Sequence, residues 1–450
     1  MKEKKHLLEG SINRSIFVLS VPIIFAMFLQ IIYSITDTFW VGRVSADAVA
    51  AISLSFPILF ILTSFSMGFA TAGTILVSQY FGKKDYEKIS YISSQTIFNL
   101  FFISAILSLL GYFFSDFLVY FIGGEGQVAI LAINYLKISF LGLVFTFFYM
   151  GFQSLMRGIG EVKFPFYLVF GTVILNFILD PIFILGWFGV NSFGVGGAAL
   201  VTVFCQGIAC FVGLFVLIKG KYHIFLSLKD FYPRLKTQKK LFILGIPSSI
   251  EKSLTAVGML LMTILVAKFG TASLAAFGIG TRILSFAIIL GMGLSIAITT
   301  LIGQNIGAKQ IDRAKEIYKK GILFGFIVSS IMGVILFIFA ESITSFFVPT
   351  SPETILVTTF FIKVMSLSLG FLGIQIVVSG AFKGGGRTGI SMFLSLFHTS
   401  ILFVSAFILS IYFEEKGIWF AYPVANFLAG MFALAWIKFG RLHNENLVED

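Results

Sequence analysis

Runs of about 20 apolar residues, the length needed to cross a bilayer, recur twelve times in this chain. They lie at roughly 15–42, 49–81, 93–122, 128–156, 162–188, 194–218, 241–267, 272–305, 321–348, 354–382, 388–412 and 417–437. In hydrocarbon every backbone N–H and C=O needs an internal partner, so runs of this length fold as helices. The expected fold is therefore an all-α membrane protein with twelve transmembrane helices. Composition agrees, since 58% of the residues are apolar and 12% charged, against about 45–50% and about 25% in soluble domains. The first twenty residues are basic but lead into the first run without a small-residue cleavage site. That run is read as a retained span rather than a signal peptide. Cys205 and Cys210 sit five apart in one run, on different faces and without metal-ligating neighbours, and read as packing residues.

A net charge of +11 invites a nucleic-acid reading, but the charges are placed otherwise. Lys and Arg in short loops mark the cytoplasmic side. One set of gaps holds Lys2, Lys4, Lys5 and Arg14, then Lys83, Lys84 and Lys88, then Arg157 and Lys163, and the basic stretch from Lys219 to Lys240. It continues with Lys309 to Lys320, Lys383 with Arg387, and Lys438 with Arg441, whereas the other set has only Arg43, Lys268 and Lys416. The basic excess is thus an orientation signal. Both termini are expected in the cytoplasm, in a multi-pass cell-membrane protein that binds no nucleic acid. The gaps are too short for a catalytic module, so the chain is not read as an enzyme. Lys383-Gly-Gly-Gly-Arg387 is a turn and not a phosphate cradle, because it follows no strand and lacks the Gly-Lys-Ser/Thr sequence.

Shifting the chain by 225 residues lays Pro22 on Pro247, Met67-Gly68 on Met292-Gly293, Thr74 on Thr299, Gln79 on Gln304, Gly82 on Gly307 and Lys84 on Lys309. One residue of slip later, Arg157-Gly-x-Gly160 meets Lys383-Gly-Gly-Gly386. Six spans per half give both halves the same orientation, so the repeats are parallel and related by an axis along the membrane normal. Secondary transporters are built this way. The expected division is an N-terminal six-helix bundle over residues 1–218, a cytoplasmic linker over 219–240 and a C-terminal six-helix bundle over 241–450. Within the linker, 223–232 reads as a candidate interfacial helix.

Acids inside spans cost roughly 2.5–3.5 kcal/mol to insert and mark functional sites by default. Asp37 lies five residues before Gly42 and Asp180 six before Gly186, in two helices that both run outwards. At 1.5 Å per residue the two carboxylates sit at similar depth. Asn176 shares the helix face of Asp180, and Thr202, eight residues into a helix that starts outside at Gly194, reaches the same level. Two carboxylates, an amide and a hydroxyl suit a hard cation. The same oxygens suit a proton, because burial and a neighbouring carboxylate both favour the neutral acid. Glu251 follows Pro247 and adjoins Lys252, a setting that fits a local ion pair or a cavity wall as well as it fits ion binding. Gln30, Tyr33, Glu251 and Arg282 are the candidate cavity residues, and His398 reads as a hydrogen-bonded packing residue.

Several stretches together resemble the multidrug and toxic compound extrusion (MATE) transporters along nearly the whole chain. They are Pro22 with Asp37-Thr-x-x-Val-Gly42, Gln79-Tyr-Phe-Gly82, Arg157-Gly-x-Gly160, Asn176-x-x-x-Asp180-Pro181, Gly194-Val-Gly-Gly-Ala-Ala-x-x-Thr202, Gly278-Ile-Gly-x-Arg282 and Gln304-Asn-x-Gly307. The resemblance implies two six-helix bundles around a cavity that opens alternately to each side. It also implies export of small organic cations or drugs in exchange for sodium or protons, with no cofactor and by a monomer in the lipid bilayer. The chain looks most like the prokaryotic DNA-damage-inducible branch, whose ion site lies in the N-terminal bundle. Asp37, Asn176, Asp180 and Thr202 stand at that branch's positions, with the carbonyl of Ala198 as a further ligand. Another branch pairs an acid in the seventh helix with one in the tenth. Here the tenth run has no acid beyond Glu353 at its outer edge, which argues against an ion site on Glu251. The rival reading is a flippase for a lipid-linked precursor on a related fold, which would want a basic cavity.

Overall fold

The structure, a computed structural model, describes residues 7–347, 351–440, 442 and 447. Lys2, Lys4, Lys5 and Arg441 of the orientation pattern lie outside them. The described residues form helices joined by short turns, with no strand. The helices are α1 (Ile12–Val41), α2 (Ala46–Lys83), α3 (Tyr86–Phe121), α4 (Gly126–Gly158), α5 (Lys163–Leu185), α6 (Gly194–Ile218), α7 (Leu235–Ala267), α8 (Thr271–Gly307), α9 (Ile311–Phe347), α10 (Pro352–Ser366), α11 (Leu369–Gly384) and α12 (Thr388–Phe439). α1 and α5 run on through Pro22 and Pro181. Long rings stand exposed along α3, among them Phe113, Phe117 and Phe121, as a lipid-facing surface requires. α8 is the most enclosed of the spans.

Two elements depart from one helix per apolar run. α12 has 52 residues, which at about 1.5 Å each would be far longer than a bilayer is thick. Glu414, at φ 52°, breaks it. A Cβ on Gly417 would lie 2.1 Å from the Leu409 carbonyl oxygen, so the chain reverses there as a tight hairpin. Its two arms, 388–413 and 415–439, are the two last expected spans. The run at 354–382, expected as one helix, is instead α10 and α11 with a 55° bend at Leu367-Ser368. No proline causes it. The Ser368 hydroxyl donates to the Met365 carbonyl and accepts from Asn426 Nδ2 at 2.8 Å, while His398 Nε2 meets Asn426 Oδ1 at 2.9 Å. His398 thus helps anchor the break, in the hydrogen-bonded role read from sequence.

The internal repeat recurs in backbone detail. α2 ends with Lys84 in the left-handed conformation and an Asp85 N–H bond to the Tyr80 carbonyl, and α8 ends with Lys309 likewise and a Gln310 N–H bond to Asn305. Gly160 and Gly386 repeat this close after α4 and α11, with Glu161 N–H on Met156 O and Arg387 N–H on Phe382 O. Each is the six-to-one bond that satisfies carbonyls at a helix end. Between helices, Thr74 Oγ1 donates to Ser154 O at 2.8 Å, and Thr299 Oγ1 to Gly380 O at 2.9 Å. The Ser154 hydroxyl donates to Ala70 O at 2.6 Å, whereas in the second half Ser295, on the opposite helix, donates to Ile376 O at 2.7 Å. Both contacts need glycine. A Cβ on Gly384 would stand 2.6 Å from Thr299 O, and one on Gly158 3.1 Å from Thr74 O. Because the obstacle is backbone, Gly384→Ala is expected to cost about 1–3 kcal/mol, read as a lowered thermal midpoint in detergent.

The chain divides into two compact units, Phe25–Ser249 and Met1–Ile24 with Ile250–Asp450. These boundaries lie two residues past Pro22 and Pro247, inside α1 and α7, rather than at the ends of the 219–240 linker. Within the first unit the linker is pinned in place. Instead of an interfacial helix it forms two 3₁₀ turns, Lys221–His223 and Leu228–Phe231, with Tyr222 and His223 at positive φ. Ile224 and Leu226 are buried. Phe225 N–H donates to Ser90 Oγ, and Gln95 Nε2 donates to the carbonyls of Asp230 and Tyr232.

Candidate functional site

Three helix ends converge in the unit Phe25–Ser249. Trp40 and Val41 close α1 by packing with Ala48, Ile184, Val195 and Ala198. α5 stops at Gly186, whose φ of 83° makes the left-handed cap. The loop then folds back, with Phe193 N–H on Phe183 O and the Ser192 hydroxyl on Ile184 O. A Cβ on Gly197 would lie 2.4 Å from Phe183 O, so only glycine lets α6 touch the α5 backbone there. That approach carries Thr202 to the level of Asp37.

The four side chains named from depth arithmetic meet. Asn176 Nδ2 donates to Asp37 Oδ1 and to Asp180 Oδ1, both at 3.0 Å, and Thr202 Oγ1 donates to Asp37 Oδ2 at 3.4 Å. Asn176 and Asp180 are both 0% exposed, and Asp37 is half-buried. Asn176 Oδ1 and Asp180 Oδ2 are buried without a hydrogen-bond partner among the described residues, as is the Tyr33 hydroxyl one turn before Asp37. No described basic side chain pairs with either carboxylate. Buried charge without a partner is costly. This arrangement can be neutral only with a cation or a proton among its oxygens, and the two orphaned acceptors fit such a guest.

The other sequence candidates fall in different places. Ala198 sits in the apolar cluster with Trp40 and Ile184. Gln30 and Arg282 are exposed, and Tyr33 is half-buried beside the acids. Glu251, in the other unit, is buried and paired, but with Lys383 at 2.6 Å rather than with its neighbour Lys252. Ser379 and Ser391 complete its surroundings. Sequence reasoning missed these three partners because they lie far from Glu251 in the chain; the only local signal is that Ser379 and Lys383 share one face of α11.

Twelve spans in two compact units that repeat each other are the architecture of a secondary transporter. The fold matches the crystal structure described as that of a MATE P26A mutant at a TM-score of 0.91 and 22% identity, covering 96% of this chain and 97% of that one. The MatE family model matches residues 22–182 and again 247–408, and the chain belongs to the MATE family of transporters. The two matches start 225 residues apart, the offset of the internal repeat. Among curated relatives it is 29% identical over 441 residues to the probable multidrug resistance protein YoeA of Bacillus subtilis (strain 168), covering 95% of each chain. It is 26% identical over 430 residues to the multidrug export protein MepA of Staphylococcus haemolyticus (strain JCSC1435), covering 95% of this chain and 93% of that one.

Proposed function

We propose that this chain is a multidrug efflux antiporter of the cell membrane, which exports drug-like organic compounds, organic cations among them, in exchange for sodium or protons. The observation that carries this reading is the pair of carboxylates, Asp37 and Asp180, bridged by Asn176 and left without a basic partner. An ion entering from outside is held by Asp37, Asp180, Asn176 and Thr202. Asn176 orients both carboxylates through one amide, and Thr202 fixes the outer oxygen of Asp37. The relatives named for multidrug resistance and export support the substrate class. Exchange follows when the ion and the drug prefer opposite facings, since each ligand then weakens binding of the other by the same factor. Both termini lie in the cytoplasm, and a single copy carries the whole cycle.

Efflux of a fluorescent cationic dye from reconstituted vesicles, under a sodium gradient or a pH gradient imposed separately, tests the proposal. Export driven by one of the two supports it and names the ion. Absence of export under both would overturn it in favour of a flippase for a lipid-linked precursor.

A further inference from the structure

Two buried charge clusters among the described residues have opposite signs. Around Asp37 there are two carboxylates and no described basic partner. Around Glu251, in the unit that holds α8 to α12, there is one carboxylate and two ammonium groups, and the carboxylate is already paired with one of them. Glu251 Oε1 accepts from Lys383 Nζ at 2.6 Å and from the Ser379 hydroxyl at 3.4 Å, and Oε2 accepts from the Ser391 hydroxyl at 2.8 Å. Ser379 and Ser391 also lie within hydrogen-bond reach of each other, and with one proton apiece they make two of these three contacts at a time. The paired side chains are enclosed, Lys383 at 11% and Glu251 at 9% exposure.

Lys252 is the residue left over. It is half-buried, next in sequence to Glu251, and close enough to both Glu251 and Lys383 to feel their charges. Among the described residues it makes no hydrogen bond or ion pair. An organic cation brought here would meet a carboxylate already paired with Lys383 and two like charges. An anion would meet an unneutralised ammonium in a setting of reduced dielectric, where an opposite charge is worth several times what it is in water.

Building on the transporter reading, we propose that Lys252, backed by the Glu251–Lys383 pair, is a binding point for an acidic group, a carboxylate or a phosphate, on the transported compound. Glu251 here is a fixed counter-charge that holds Lys383 and leaves Lys252 for the substrate. The substrates of this chain accordingly include organic acids and zwitterions, the cation being received by the Asp37 side of the cycle.

Two xanthene dyes of opposite charge, fluorescein (anionic) and rhodamine 6G (cationic), titrated onto the detergent-purified full chain by fluorescence anisotropy, test this. Fluorescein is expected to bind, to weaken with added salt, and to lose about tenfold or more in affinity in Lys252→Gln, with Lys252→Arg restoring it. Displacement by benzoate or by inorganic phosphate tells which acid group is preferred. Fluorescein that fails to bind the wild type, or that binds Lys252→Gln as tightly, would overturn the assignment. So would rhodamine 6G binding that is stronger than fluorescein's and is lost in Glu251→Gln. Gradient-driven export is measured separately in vesicles, so loss of this assignment with export intact leaves the antiporter reading standing.

Discussion

Asp37→Asn is expected to abolish ion-driven export while the protein still folds and reaches the membrane. The substitution keeps the shape, and its new amide oxygen can still accept from Asn176 or Thr202, which now hold Asp37 at 3.0 and 3.4 Å. What is lost is the charge. A unit charge about 4 Å from a cation is worth about 4 kcal/mol at an effective dielectric of 20. Every 1.4 kcal/mol is tenfold in affinity, so ion affinity should fall on the order of a hundredfold or more. Gradient-driven dye efflux in vesicles should drop to the leak rate. Folding should not suffer, since the change removes one of two carboxylates that share a site without a basic partner. Export by Asp37→Asn at the wild-type rate would sink the mechanism, whereas loss of expression would point to a scaffolding role for the acid.

Lys383→Met should be the most destabilising charge substitution in the unit that contains α8 to α12. Removing one partner of a buried pair costs about 3–5 kcal/mol, and Lys252, the ammonium that would remain near Glu251, makes no hydrogen bond to it. The two hydroxyls on Glu251 cannot supply the missing charge. The double variant Glu251→Gln with Lys383→Met replaces the pair by neutral groups of similar size and is expected to recover most of the loss. Thermal unfolding of the purified protein, followed by intrinsic fluorescence, checks both. If the single and double variants unfold at the same temperature, the pair is not what holds this region together.

The parts of the structure that could be read from sequence are those set by local spacing. Twelve apolar runs become helices because the bilayer leaves the backbone no other partner. Asp37, Asn176, Asp180 and Thr202 could be placed at one depth because rise per residue converts position into height, and the structure brings those four together. Height says nothing about which helix faces which, so the pairing of Glu251 with Lys383, 132 residues away, was invisible. The break at Ser368 was equally hidden, since its causes are Asn426 and His398 on α12 rather than a local proline. The linker failed as a helix because α3 captures its backbone groups through Ser90 and Gln95.

The contact between α2 and α4, repeated between α8 and α11, also carries a record of descent. In one half the serine is on the second helix, Ser154 bonded to Ala70 O; in the other it is on the first, Ser295 bonded to Ile376 O and lying against Gly380. If both halves come from one ancestral segment, a hydroxyl has migrated across the interface while the bond between the helices was kept. The intermediate along that route carried either both serines or neither. A comparison of the halves position by position would then score the two sites as mismatches, although a serine bonds the two helices in both halves.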